Sequence, residues 1–271
     1  MKQRVLTALL ITPVAVAMIL LLPMVAFALL IAGLCLIASW EWTRLSGLLD
    51  RRARALLLVL AIALFWLMWI WRDAAAGWTV IGIGCLWWIA ALLWLRQFTY
   101  AAAPSRGNTV IKLLVGLLIV FPAWIALMHL RDSGPHGPGW SLYALLLGWA
   151  ADTFAYLTGS RWGRTRLAPN VSPGKTVAGV YGALAGTAAV AAIGGWMLHV
   201  RDVKLLLLVL LAMVCVGFSI VGDLFESLIK RQANVKDSGT LFPGHGGVFD
   251  RLDSTFAVLP FFVFGKMLLG L

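Results

Sequence analysis

Apolar stretches long enough to cross a bilayer recur along this 271-residue chain from one end to the other. They fall at 5–22, 24–39, 55–71, 77–95, 110–130, 140–158, 177–199, 203–225 and 254–271. A spanning helix needs about 20 apolar residues, with a working range of about 17–25, and most of the runs fit. In hydrocarbon the backbone must satisfy its own hydrogen bonds, so only helices and closed barrels are open to such a chain. Barrel strands alternate apolar and polar residues over about ten positions, and these runs do not alternate. The expected fold class is therefore an all-α polytopic membrane protein. Composition agrees: 12% of residues are charged, about half the roughly 25% of a soluble domain, too few to cover a water-facing surface.

The first two runs are divided only by Pro23, so they read as two short helices or one long kinked one. Charge decides between them. With nine spans and a cytoplasmic N-terminus, seventeen of the 22 Lys and Arg residues fall in inner segments. The other five are Arg72, Arg131, Arg201, Lys204 and Lys266. That bias is the positive-inside rule. Eight spans would put Lys2 and Arg4 outside. The same two cations followed by apolar residues resemble a signal peptide, but the apolar stretch continues to about Ser39, which predicts an uncleaved first span. The net charge of +11 is topological on this reading, and nucleic acid is not an expected partner. Cys35, Cys85 and Cys215 lie singly in apolar runs, which predicts inert thiols rather than disulfides or a zinc site. Trp40, Trp42, Trp71, Trp78, Trp94, Trp140 and Trp162 fall near span ends, as an interfacial belt would place them. Gly179, Gly182 and Gly186 suit close helix packing. The chain divides, within one integral unit, into membrane helices over 1–139 and a polar-marked catalytic region over 140–271.

The chemistry concentrates in two stretches on the cytoplasmic side, Asp152–Thr176 and Asp223–Asp253. Of eleven acidic residues, Asp223, Glu226, Asp237, Asp250 and Asp253 fall close together, and Asp152 sits deep in an apolar run. Carboxylates at membrane depth are costly and are commonly kept for function. Asp223 and Glu226 are three apart at the end of one helix, and Asp250 and Asp253 repeat that spacing where the last helix begins, so each pair shares a helix face. Two such pairs form a hard-oxygen set suited to Mg²⁺. Between them Lys230, Arg231 and Lys236, with Arg251, can hold phosphates, and Gly246 and Gly247 let backbone N–H groups approach an anion. Each feature also has a plain reading, as membrane-surface cations or an ordinary loop. Together they describe a nucleotide or polyphosphate site. Gly174-Lys175-Thr176 fails as a P-loop, because the first glycine of that motif would fall at Pro169. It remains a cationic turn opening a helix, whose N-terminus favours phosphate.

The run from Ser227 to Asp253, with Lys236-Asp237-Ser238-Gly239 and Pro243-Gly244-His245-Gly246-Gly247 at its centre, resembles the signature of the phosphatidate cytidylyltransferases. Asp152–Tyr156 and Ser172–Thr176 resemble that family's second motif region. The resemblance implies CTP + phosphatidate → CDP-diacylglycerol + pyrophosphate, with Mg²⁺ as cofactor, in an integral membrane enzyme of phospholipid synthesis. It implies catalytic roles for Asp223, Lys230, Arg231, Lys236, Asp237 and Asp250. It implies metal ligation by Asp223, Glu226, Asp250 and Asp253. Substrate binding would fall to Asp152, Lys175, Thr176, Ser227, His245, Gly246, Gly247 and Arg251. Other lipid phosphates as acceptor, and a transporter with midplane charges, are the rival readings; the transporter predicts inverted repeats, and none is visible. A bacterial inner membrane, with the site facing the cytoplasm, is the expected location. Nothing in the sequence decides between a monomer and a homodimer.

Overall fold

A computed structural model of the protein describes residues 2–72, 74–241 and 246–271, with side chains described from position 12 onward. Each apolar run becomes one helix: α1 (Lys2–Leu21), α2 (Met24–Leu45), α3 (Arg51–Ile70), α4 (Ala75–Arg96), α5 (Arg106–Arg131), α6 (Gly137–Trp162), α7 (Val177–Met197), α8 (Asp202–Gln232) and α9 (Phe249–Leu268). The chain is thus nearly, but not entirely, helical. Between α6 and α7 the polar, Gly- and Pro-containing segment has no helical period to follow. It forms an antiparallel hairpin of β1 (Arg166–Ala168) and β2 (Ser172–Thr176), with Arg166 opposite Thr176. Gly174-Lys175-Thr176 is therefore the end of a strand. Thr176 then caps α7, its Oγ1 accepting from Gly179 N–H at 3.1 Å, the usual task of an N-cap threonine.

Among the described residues, six helices, α2, α3, α4, α5, α7 and α8, are long and apolar enough to cross a membrane. Helices α6 and α9 spend part of their length on polar residues, Asp152 in one and Asp250, Arg251 and Asp253 in the other. In α1 the apolar stretch with described side chains runs only from Thr12 to Leu21. The first two runs are separate helices, broken at Pro23, whose ring cannot continue the hydrogen-bond ladder of α1. Arg131 holds the break: its guanidinium donates to the carbonyls of Ile19 and Leu22 at the end of α1. These are carbonyls that a helix terminus leaves without intrahelical partners.

Of these six, α5 is the most enclosed; it packs on α2, α4 and α9. α6 and α7 form the closest seam. A methyl group at Gly182 would overlap Thr158, and one at Gly186 would overlap the Phe154 ring, so the expected small-residue packing is realised there. The tryptophan belt is only partly so. Trp71 and Trp162 are exposed, but Trp42, Trp94 and Trp140 are buried. Trp42 is recruited inward because its ring stacks on Phe249 at 4.9 Å and its Nε1 donates to the Lys112 carbonyl at 2.7 Å. Phe225 of α8 is packed edge-on by Trp87, Trp88 and Trp94 of α4. This aromatic block fixes α8 and α9 against α2 and α4 and sets the position of the polar residues described next. At about 1.5 Å per residue, the 31 residues of α8 exceed the roughly 30 Å hydrocarbon core. One end of this helix therefore carries Lys230 and Arg231 out of it.

Candidate active site

Helices α6, α7, α8 and α9 and the hairpin enclose a cavity of about 630 Å³. Its walls bring together residues far apart in sequence: Asp152 from α6, Lys175 from β2, Asp223 from α8, and Asp250, Arg251 and Asp253 from α9. Arg166 of β1, whose charge by itself suits either a lipid headgroup or a phosphate substrate, joins them. Lys175 Nζ meets Asp223 Oδ2 at 2.6 Å, and Asp223 Oδ1 accepts from Ser227 at 3.3 Å. Asp253 accepts from the Ser254 N–H at 2.7 Å, and Ser254 Oγ reaches Asp152 Oδ2 at 3.5 Å. Ala155, Val180, Ala183 and Ile220 contribute apolar wall; Asp253 is buried, whereas Asp152, Arg166 and Arg251 are exposed.

Behind the cavity lies a second cluster. Lys230 Nζ is held between Glu226 Oε2 and Asp250 Oδ1, each at 2.6 Å. Glu226 is 2% exposed, and its Oε1 has no hydrogen-bond partner. Asp250 Oδ2 gathers three donors: Ser238 N–H at 2.8 Å, Ser238 Oγ at 2.9 Å and Gly247 N–H at 2.7 Å. One carboxylate thus anchors both the lysine and the loop that returns from α8 to α9. α8 itself ends in a Schellman turn, with Asn234 at φ +55° and Val235 N–H on the Lys230 carbonyl. Gly246 takes φ +84°, a conformation that L side chains adopt rarely.

The four carboxylates expected to share a metal are therefore divided. Asp223, Asp250 and Asp253 line the cavity with Asp152, but Asp250 is also engaged by Lys230, and Glu226 meets only that lysine from outside the lining. Arg231 is exposed and donates to the Val171 carbonyl of the hairpin loop at 3.4 Å. Lys236 and Asp237 are exposed and outside the cavity lining. Thr176 and Ser227 serve the helix cap and Asp223. His245 lies outside the described residues. Among the described residues no three Asp, Glu, His or Cys side chains form a ready-made metal cage. The acidic side chains of the cavity nonetheless offer carboxylate oxygens, the kind Mg²⁺ selects. Mg²⁺ is commonly held by one or two carboxylates, with waters and substrate phosphates completing the shell. The donor chemistry fits on those terms.

Sequence reasoning missed Glu41 of α2. It is 6% exposed, and its oxygens accept from Val248 N–H at 3.0 Å, Phe249 N–H at 2.8 Å and Ser238 Oγ at 2.8 Å. Arg44, one turn on, donates to the Ser238 carbonyl at 3.0 Å. A signal was present, because Glu41 is the only acidic residue among the first 49.

The profile of the cytidylyltransferase family matches residues 2–268. The phosphatidate cytidylyltransferase of Pseudomonas aeruginosa is 41% identical over 266 residues, covering 97% of this chain and 95% of that one. Those of Haemophilus influenzae and Bacillus subtilis are 32% and 30% identical, each alignment covering 97% of both chains.

Proposed function

The chain belongs to the cytidylyltransferase family, and we propose that the cavity between α6, α7, α8 and α9 is where it works. The protein is an integral membrane enzyme that transfers the cytidylyl group of CTP to phosphatidate, giving CDP-diacylglycerol and pyrophosphate. The observation that carries the placement is the charge arrangement of that cavity. Asp152, Asp223 and Asp253 share one space with Lys175, Arg166 and Arg251, from three helices and a hairpin.

In this space a phosphatidate oxygen attacks the α-phosphorus of CTP. A new P–O bond forms, the bond between the α-phosphorus and the bridging oxygen breaks, and pyrophosphate leaves with that electron pair. No protein nucleophile is needed, since phosphatidate is already an anion. Positioning and charge neutralisation carry such a transfer. Lys175, now paired with Asp223, is placed to exchange that partner for a phosphate oxygen. Arg166 and Arg251 extend the cationic wall toward the β- and γ-phosphates. Asp223 and Asp253 would hold Mg²⁺, which supplies neutralisation of the charge that gathers on the departing pyrophosphate. Glu226, Lys230 and Asp250 hold the wall in place from behind.

The reading includes nine spans with the N-terminus in the cytoplasm, supported by the Lys and Arg distribution between alternate loops, and a bacterial inner membrane with the cavity open to the cytoplasm. The test is pyrophosphate release by purified protein in detergent–phosphatidate micelles. Release that needs CTP, phosphatidate and Mg²⁺ together, with a CDP-lipid as second product, is expected. Release undiminished by chelation of divalent ions would remove the metal from the account. Absence of release from folded protein across several lipid phosphates would remove the reaction.

A further inference from the structure

We propose that Glu41 is a positioning residue for the transfer: from α2 it sets the loop between α8 and α9, and through it Asp250, in the geometry that turnover requires. The proposal rests on the active-site placement above and extends it to a residue in the N-terminal half of the chain.

The geometry is specific. Glu41 is buried, and a buried carboxylate is costly unless its oxygens are satisfied. Here the donors come from one short stretch: Val248 N–H and Phe249 N–H, at the first turn of α9, and the Ser238 hydroxyl. The N-terminal N–H groups of a helix lack intrahelical acceptors and carry partial positive charge, so a carboxylate from outside the helix is a strong partner for them. The fit leaves no slack. A methyl group at Gly239 would overlap Glu41 Oε1, and one at Gly247 would overlap both Glu41 Oε2 and Ser238 Oγ. Trp42, the next residue, stacks on Phe249, so the end of α2 fixes the same turn of α9 by packing and by hydrogen bonds.

Ser238 makes the link to the site. Its Oγ stands 2.8 Å from Glu41 and 2.9 Å from Asp250 Oδ2. Its single proton serves one carboxylate at a time, so the hydroxyl couples the two. Asp250 in turn holds Lys230 and lines the cavity. The route from Glu41 to the reacting space is therefore Glu41, Ser238, Asp250 and then the cavity wall. Displacement of a catalytic wall by about 1 Å costs about 10²-fold in rate.

The experiment compares wild type, Glu41→Gln, Ser238→Ala and the double variant, each purified in detergent and assayed for pyrophosphate release against CTP concentration, per folded protein. Glu41→Gln keeps one acceptor oxygen but turns an NH₂ donor toward donors. The expected result is a loss of about 10²-fold in kcat, with KM for CTP nearly unchanged. Ser238→Ala should give a smaller loss, and the double variant should be no worse than Glu41→Gln, since both act on one path. A purely structural role for Glu41 would lower the yield or thermal midpoint and leave kcat of the folded fraction at the wild-type value; that result overturns the proposal, as do fully additive losses. Where Glu41→Gln does not accumulate, Ser238→Ala carries the test, and wild-type turnover in it is the overturning result. Wild-type protein without activity would instead sink the reading of the site.

Discussion

Lys230→Met separates two roles for a lysine in the middle of the signature. Its ammonium sits between Glu226 and Asp250, whose side chains are 2% and 6% exposed, and is itself 13% exposed. The substitution keeps the side-chain length and removes the cation. Asp250 still has Ser238 and Gly247 as donors, so most of the penalty falls on Glu226, which has no comparable set and one oxygen already without a partner. Breaking a buried ion pair by removing one partner costs about 3–5 kcal/mol. At about 2–4 °C per kcal/mol for a chain of this size, the thermal midpoint in detergent falls by roughly 10 °C. Adding Glu226→Gln to Lys230→Met should recover much of that loss, since replacing both charges is far less costly than stranding one. Turnover should stay low in both variants, because Asp250 has lost its lateral hold. Differential scanning fluorimetry and pyrophosphate release measure the two effects. An unshifted midpoint with lost turnover would refute the clamp and make Lys230 a direct phosphate ligand, as the sequence alone had suggested.

Two further outcomes follow from the same geometry. Asp223→Asn leaves Lys175 without its carboxylate and should lower turnover by about 10²–10³-fold, the scale for removing one electrostatic element from such a site, with the helical circular dichroism unchanged; activity near wild type would take Asp223 out of the chemistry. Gly186→Leu forces a branched side chain into Phe154 and should cost about 1–3 kcal/mol through overpacking, whereas Gly33→Leu, in the interior of α2 with nothing within 4 Å, should cost nothing and gain up to about 1 kcal/mol from helix propensity. Equal midpoints for the two glycine variants would contradict the tight α6–α7 seam.

Local pattern carried most of the fold. Each apolar run became a helix, Pro23 divided the first two, and Gly182 and Gly186 marked the face that α7 turns to α6. The acidic residues also marked the candidate cavity, because Asp152, Asp223 and Asp253 share its lining. What local pattern could not carry was pairing across the chain. Glu41 and Ser238 are 197 positions apart, and no periodicity in either segment reports the other. Trp42 read as interfacial because position along a helix says nothing of which neighbour covers its ring. Lys230 shows the same limit: its charge was visible in the sequence, and the two carboxylates closing on it were not. The hairpin lay in the loop between two spans, where helical periodicity is silent and three- to five-residue strands leave little trace.

The central claim is that CTP occupies the cavity between the hairpin and α6–α9, and a thiol placed at its wall reads this directly. Gly174 lines the cavity and has nothing within 4 Å of an added Cβ, while Cys35, Cys85 and Cys215 are buried. Gly174→Cys therefore offers one reactive thiol to a membrane-impermeant maleimide. The account predicts labelling from the cytoplasmic face only, slowed several-fold by CTP with Mg²⁺ and not by ATP. Labelling at the same rate with and without CTP, in a variant that still releases pyrophosphate, would place the nucleotide elsewhere.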